Sequence, residues 1–264
     1  MEKLIQDKHF NVTVLSKSER PNLLAYTSLH QCYAENPVHI ELDRLANLSE
    51  STLGRRVVDK CLKFGHFSVV EGPTISFLVS GFVHNVVGQI TRHRHLSFSV
   101  QSQRYTGERI LKAVEQLYKY DLLANTTEEI FSLKKELIES ILYYRPVDNY
   151  LDREGNKYFY SEKIRDIHIK KGEKSLKDYY QDVKEYGLAP EHARDNLLQN
   201  IRQDFVVTLN ARSLMHFTDL RLPKDAQVEI RTLANIFLDE FKIWMPEVAE
   251  WYIDKRAGKN KLSP

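Results

Sequence analysis

Apolar residues recur at helical spacing across Ser49–Phe64, where Leu53, Val57, Cys61 and Phe64 share one face. Ser49 or Ser51 is placed to cap this helix, and Gly65 to stop it. The period then changes. Across Thr74–Phe82, Ile75, Phe77 and Val79 alternate with Ser76, Leu78 and Ser80, which predicts a strand punctuated by Pro73 and Gly81. Val83, Val87 and Ile90 make a short stripe that predicts a helix over His84–His95. Thr127–Tyr144 is amphipathic through Ile130, Leu133, Leu137 and Ile141. Arg145–Asn156 reads as a loop, and Lys157–Tyr186 as a polar, partly helical region ending at Gly187.

Pro190 suits the start of a helix carrying Arg194. Asp204–Leu209 (DFVVTL) predicts a buried strand, and Asn210 a cap on the helix after it. Pro223 is placed to begin a last long helix, striped by Ile230, Leu233, Phe237, Phe241 and Trp244. Helices and strands mix without regular alternation, so the expected fold class is α+β. No repeat or low-complexity linker divides the chain, and a single domain over residues 1–264 is expected, with an elaborated middle at 111–175.

Composition narrows the function classes. Of 264 residues, 42% are apolar and 28% charged, as in ordinary globular proteins. Lys and Arg number 38 against 36 Asp and Glu, a balance that argues against a nucleic-acid or membrane partner. Cys32 and Cys61 make no disulfide framework and have no metal-ligand spacing, and no metal is expected. The opening MEKLIQDKHF lacks the apolar core of a signal peptide, and no apolar run reaches the roughly 20 residues of a membrane helix. The expected location is a reducing cytoplasm.

The chemistry is concentrated in Thr91–Thr106, TRHRHLSFSVQSQRYT, which holds three arginines, two histidines and no carboxylate. Arginines this close repel unless an anion lies between them, and a phosphate or pyrophosphate is the natural neutraliser. Each charge-assisted hydrogen bond to such a group contributes roughly 1.5–3 kcal/mol, so two or three outweigh the repulsion. The hydroxyls and amides of Ser97, Ser99, Ser102 and Gln103 suit the remainder of a nucleotide.

Arg92-His93-Arg94 followed after seven residues by Ser102, then Gln103-Arg104-Tyr105, resembles the signature of the flavin-dependent thymidylate synthases. Gly65-His66-Phe67-Ser68 with Glu71 is similar to that family's GHxS/T…E segment. Asn210–Leu214 resembles its NARSL element, and Leu220-Arg221 with Ala226-Gln227 and Glu229-Ile230 its LR…AQxEI stretch. These elements keep the family order over about residues 25–245.

The resemblance implies an antiparallel sheet flanked by helices, assembled as a homotetramer with shared active sites. It implies reductive methylation of dUMP to dTMP, with methylenetetrahydrofolate as carbon donor and NADPH as reductant through bound FAD. By position, His66, Ser68, Arg92, His93, Arg94, Asn210, Arg212 and His216 are expected to hold FAD. Gln89, Arg92, Ser102, Gln103, Arg104, Arg194 and Arg221 are expected at dUMP, with Arg221 as the catalytic residue that polarises the uracil ring. The chain departs from the pattern at Val100, His216 and Asp225, where the family usually has Glu, Asn and His. Those departures leave a related reaction as the alternative, either on UMP or adding a different one-carbon group.

Overall fold

The computed structural model describes residues 4–152 and 154–257. In chain order the elements are β1 (Asn11–Lys17), α1 (Pro21–Gln31), α2 (Leu42–Ala46), α3 (Glu50–Lys60), β2 (Thr74–Val83), α4 (His84–Ile90) and β3 (Ser97–Val100). They continue as α5 (Glu108–Asp121), α6 (Thr127–Ile141), β4 (Asp148–Leu151), β5 (Lys157–Tyr160), α7 (Glu162–Lys184) and α8 (Pro190–Ala193). Last come β6 (Arg202–Asn210), α9 (Ala211–Arg221), α10 (Val228–Trp244) and α11 (Pro246–Lys255). The fold is α+β, with antiparallel sheets flanked by helices. Among the described residues the larger sheet has the strand order β1-β2-β6-β3.

The chain folds as two compact units that interleave along the sequence. Of the described residues, the first holds those up to Asn11, Val79–Gln89 and Ser99–Phe205; the second holds Val12–Leu78, Ile90–Phe98 and those from Val206 on. The division falls inside β2 and β6, so neither unit is a continuous stretch.

In the second unit the alternation read in β2 and β6 is the burial pattern. Ile75 and Phe77 face the core with Val207 and Leu209, while Ser76 and Thr208 share a hydrogen bond of 2.8 Å on the other face. Phe77 stacks on Phe237 of α10 at 4.2 Å, and Phe217 of α9 packs on the same ring at 5.5 Å. Ser49 caps α3 by accepting from the Thr52 amide at 3.1 Å. The helix stops at Lys60, and a 3-10 turn over Leu62–Phe64 carries the chain to Gly65, whose φ of +82° suits glycine.

In the first unit β2 runs through Gly81 rather than ending there. Gly81 has φ +74°, and a Cβ would collide with the His9 carbonyl oxygen. Its amide donates to Asp204 Oδ1 at 2.9 Å. The middle of the chain is more regular than its polarity suggested. Helices α5, α6 and α7 close over a core that includes Leu111, Val114, Leu117, Ile138, Leu176 and Tyr179. Thr126 caps α6 reciprocally with Glu129. The expected loop Arg145–Asn156 contains β4, paired with β5 from Asp148↔Tyr160 to Leu151↔Lys157. Asp152 Oδ1 accepts from the Glu154 and Asn156 amides at 2.8 Å, and Gly155 supplies the positive φ that closes the turn.

Candidate active site

Two expectations about helix ends are corrected where they touch the site. Helix α4 ends at Ile90, so Arg92-His93-Arg94 sits in the turn after it, with the His93 amide bonded back to the Ile90 carbonyl at 3.0 Å. The run of like charges gives no apolar stripe to continue the helix and repels along its axis. Pro223 likewise lies in the turn between α9 and α10, and α10 begins at Val228.

The turn presents its residues in two directions. Arg92, Arg94 and His95 are exposed, while His93 is buried to 4% exposure. The Arg221 Nε donates to His93 Nε2 at 3.0 Å. An arginine only donates, so Nε2 is the acceptor nitrogen and the His93 proton lies on Nδ1. Nδ1 is buried without a hydrogen-bond partner among the described residues. Burial, followed by Arg221 and His216, pushes His93 down to about 4, so it is neutral at pH 7.

Helix α9 supplies the opposite wall. Asn210 Oδ1 caps it by accepting from the Ser213 amide at 2.8 Å. Arg212, in the first turn, pairs with Glu71 at 2.6 Å and so ties α9 to the Ser68–Glu71 turn. His216 lies one turn on; its ring centroid is 5.5 Å from that of His93, edge to face. His216 Nδ1 is also buried without a partner among the described residues. Burial, then His95, Arg221 and Arg212, lowers its pKa. Arg221 closes the helix at its C-terminus, where a cation is favoured by the peptide dipoles. Burial and then Arg92 lower the Arg221 pKa, without bringing a guanidinium near neutrality at pH 7. His66 and Ser68 are exposed, and between them Phe67 packs on Trp251 at 6.1 Å.

The first unit holds a second group. Ser102 organises a tight turn: its hydroxyl accepts from the Arg104 amide at 3.3 Å, and its carbonyl from the Tyr105 and Thr106 amides at 3.1 Å. Gln103 is half-buried in that turn, and Gln89 half-buried in α4. Arg104 faces Glu191 at 3.7 Å. Arg194 lies just past α8 in a 3-10 turn, not on the helix itself, and its Nε donates to the Glu191 carbonyl at 3.1 Å. Glu191 therefore gathers the two arginines. His84, lowered by burial and then by Arg194, is the further residue in this group. Sequence reasoning passed over both, Glu191 because PEHARD has no motif of its own. It also passed over His95, although His95 directly follows the Arg-His-Arg run.

A family model described as thymidylate synthase complementing protein matches residues 13–247. The chain belongs to this family. A flavin-dependent thymidylate synthase of Halobacterium salinarum is 30% identical over 260 residues, covering 96% of this chain and 99% of its own length. One from Haloarcula marismortui is 27% identical, covering 89% and 87%. Among solved structures, the flavin-dependent thymidylate synthase of Helicobacter pylori complexed with FAD and dUMP has a TM-score of 0.62 at 23% identity, covering 90% of this chain and 99% of that one. A UMP/dUMP methylase from Streptomyces cacaoi bound with 5-bromo-dUMP has a TM-score of 0.66 at 20% identity, covering 98% and 99%. At those identities the likeness is one of fold.

Set against the family pattern, every expected flavin residue lies in the second unit. Of the expected nucleotide residues, Gln89, Ser102, Gln103, Arg104 and Arg194 lie in the first unit, Arg92 and Arg221 in the second. The residues fit a flavin dinucleotide in kind. Exposed Arg92 and Arg94 suit its phosphates, and two buried imidazole nitrogens without partners suit a polar group brought in from outside. Of the departures, His216 is in this cluster, Val100 ends β3, and Asp225 is exposed in the turn before α10.

Proposed function

We propose that this chain is a flavin-dependent thymidylate synthase, a methyltransferase that converts dUMP to dTMP. Methylenetetrahydrofolate serves as carbon donor and NADPH as reductant. The observation that carries this reading is the Arg221–His93 bond of 3.0 Å, which joins two motifs of the family across 128 positions of sequence. FAD, once bound, supplies the hydride chemistry between NADPH and the one-carbon unit.

In this reading Arg92 and Arg94 neutralise phosphate, with His66, Ser68, Asn210, Arg212 and His216 completing the flavin contacts. His93 is a neutral donor through Nδ1–H. It also holds the Arg221 guanidinium in place, so that the fixed charge stabilises negative charge developing on the pyrimidine ring. Gln89, Ser102, Gln103, Arg104 and Arg194 bind dUMP, the two arginines taking its phosphate. The working form is a homotetramer whose subunits share active sites, and the whole chain acts as one catalytic domain. No helix among the described residues is long and apolar enough to cross a membrane. Cys32 and Cys61 are free thiols, and we place the reaction in the cytoplasm, where thiols stay reduced.

Incubating the FAD-loaded protein with methylenetetrahydrofolate and NADPH, and with dUMP or UMP in parallel, tests the reading. Mass analysis should show a product 14 mass units heavier from dUMP and little or none from UMP. Methylation of UMP alone would replace it with the related reaction that Val100, His216 and Asp225 leave open.

A further inference from the structure

The end of α11 and the segment after α3 enclose a hollow of about 400 Å³. It lies wholly in the second unit, which also holds every expected flavin residue. Small-molecule sites run from roughly 300 to 1,000 Å³, so this one has room for part of a nucleotide. Its walls have two characters. Leu62, Phe67 and Trp251 are apolar, Lys63, Lys255 and Arg256 are cationic, and no carboxylate lines it among the described residues. The Phe67 and Trp251 rings meet at 6.1 Å, and both are half-buried, which leaves ring surface open to a ligand. The Arg256 guanidinium lies over the Phe67 ring at 5.2 Å and faces Asp219 at 3.8 Å, so one cation is held against the aromatic wall. Lys63 pairs with Asp59 at 2.5 Å and Lys255 with Asp254 at 2.6 Å. All four of those side chains are more than half exposed, and such pairs are weak enough to yield to a phosphate. A neighbouring hollow shares Lys63 and Trp251, but there Asp59, Glu247, Glu250 and Asp254 outnumber the cations. Anion-binding character is confined to the first.

Aromatic faces beside several cations select a flat ring that carries phosphate. We propose that this pocket binds the phosphorylated adenosine end of NADPH, the aromatic wall taking adenine and the three cations its 2′-phosphate. This inference rests on the reading of the chain as a flavin enzyme reduced by NADPH. A phosphate monoester carries nearly two charges at pH 7, which suits a site with three cations. The flavin dinucleotide has no such group, and the exposed Arg92 and Arg94 are already matched to its phosphates. Phe67 stands between His66 and Ser68, two expected flavin residues, so one short segment serves both the flavin and its reductant. NADH lacks the 2′-phosphate, which makes the choice of reductant a property of this pocket.

The test follows anaerobic bleaching of the flavin in the FAD-loaded enzyme at increasing NADPH and, in parallel, increasing NADH. Lys63→Gln and Lys255→Gln should each raise the NADPH concentration for half-maximal bleaching about tenfold, the lower end for a charge-assisted hydrogen bond. The value for NADH should change far less. Trp251→Leu should raise both, because adenine is common to the two. FAD uptake should be unchanged in all three variants. Lysine variants that shift neither reductant, or shift both alike, would overturn the assignment. Impaired FAD uptake would give the pocket to the flavin instead, and a raised KM for methylenetetrahydrofolate with NADPH saturation intact would give it to the folate. The thymidylate reading fails separately: if NADPH-reduced flavin makes no dTMP from dUMP while the lysine variants respond as stated, that reading falls and the pocket stands.

Discussion

The turn after α4 and the helices α5–α7 both carry dense charge, and they handle it in opposite ways. In Thr91–Thr106 the charge is of one sign, and beside it two imidazole nitrogens are buried without partners among the described residues. In the helices the signs interleave. Lys134 pairs with Asp121 and with Glu173 at 3.0 Å, and Lys177 pairs with Asp121 at 3.1 Å and Glu173 at 2.8 Å. Lys135 bridges Glu162 and Asp166 on α7, and Arg165 reaches Glu139 at 2.7 Å. The helices satisfy their charges with one another, whereas Arg92 and Arg94 stand exposed beside the unpartnered imidazole nitrogens. Charge density alone does not separate the two regions; the signs and the partners do.

Removing Arg221, which meets this turn at His93, should have the largest effect. Arg221→Ala should cut dTMP formation about 100- to 1000-fold, the weight of a donor that stabilises developing negative charge. Steady-state kinetics checks this, and a loss under tenfold would detach Arg221 from the chemistry.

Next comes pH. The folded His93 sits at about 4 against an ordinary 6.5, so between those values the unfolded chain binds the extra proton. Stability attached to His93 is therefore complete above pH 6.5 and lost as pH falls toward 4, by up to ~3 kcal/mol. His216, His84 and His9, all lowered chiefly by burial, act in the same direction. Asp219, raised chiefly by burial, acts oppositely, its contribution being lost as pH rises. Urea denaturation at pH 7 and 4.5 should show a steeper acid loss in the natural protein than in His93→Gln. Parallel slopes would contradict the assignment.

The compensated region should respond in stability alone. Lys134 is 12% exposed and Glu173 16%, so Lys134→Met leaves a largely buried carboxylate short of a partner. A loss of roughly 1–3 kcal/mol is expected, with flavin uptake unchanged. Impaired uptake in this variant would break the comparison. Smallest is the exposed Arg104–Glu191 pair at 3.7 Å: Glu191→Gln should change stability by under about 1 kcal/mol. Its effect should appear instead in the KM for dUMP, since the Glu191 carboxylate sets the place of Arg104.

Much of this was legible in the sequence. The α+β class, the strands in β2 and β6, the Asn210 cap and the helical stripe of α10 follow from local periodicity and capping chemistry; helix α6 is where periodicity puts it, but it buries Ile138 and Ile141 and leaves Leu133 exposed. The hairpin β4–β5 was hidden because its strands are short and its turn depends on Asp152 accepting several amides. The α5–α7 network was hidden because polarity reads alike whether charges are paired or solvated. The motifs named the site's parts, yet the Arg221–His93 bond joins residues 128 positions apart, and no spacing rule reveals a tautomer. Glu191 and His84 come beside Arg104 and Arg194, the residues proposed to hold the nucleotide, only through folding.

The most direct test of the account is a single turnover followed at the visible flavin band. The purified FAD-loaded protein is reduced anaerobically with NADPH, then mixed with dUMP and methylenetetrahydrofolate. The account predicts that the band bleaches and then returns as dTMP forms, one per flavin. A band that bleaches and stays bleached with dUMP and the folate present, or a protein that takes up no FAD, would contradict it.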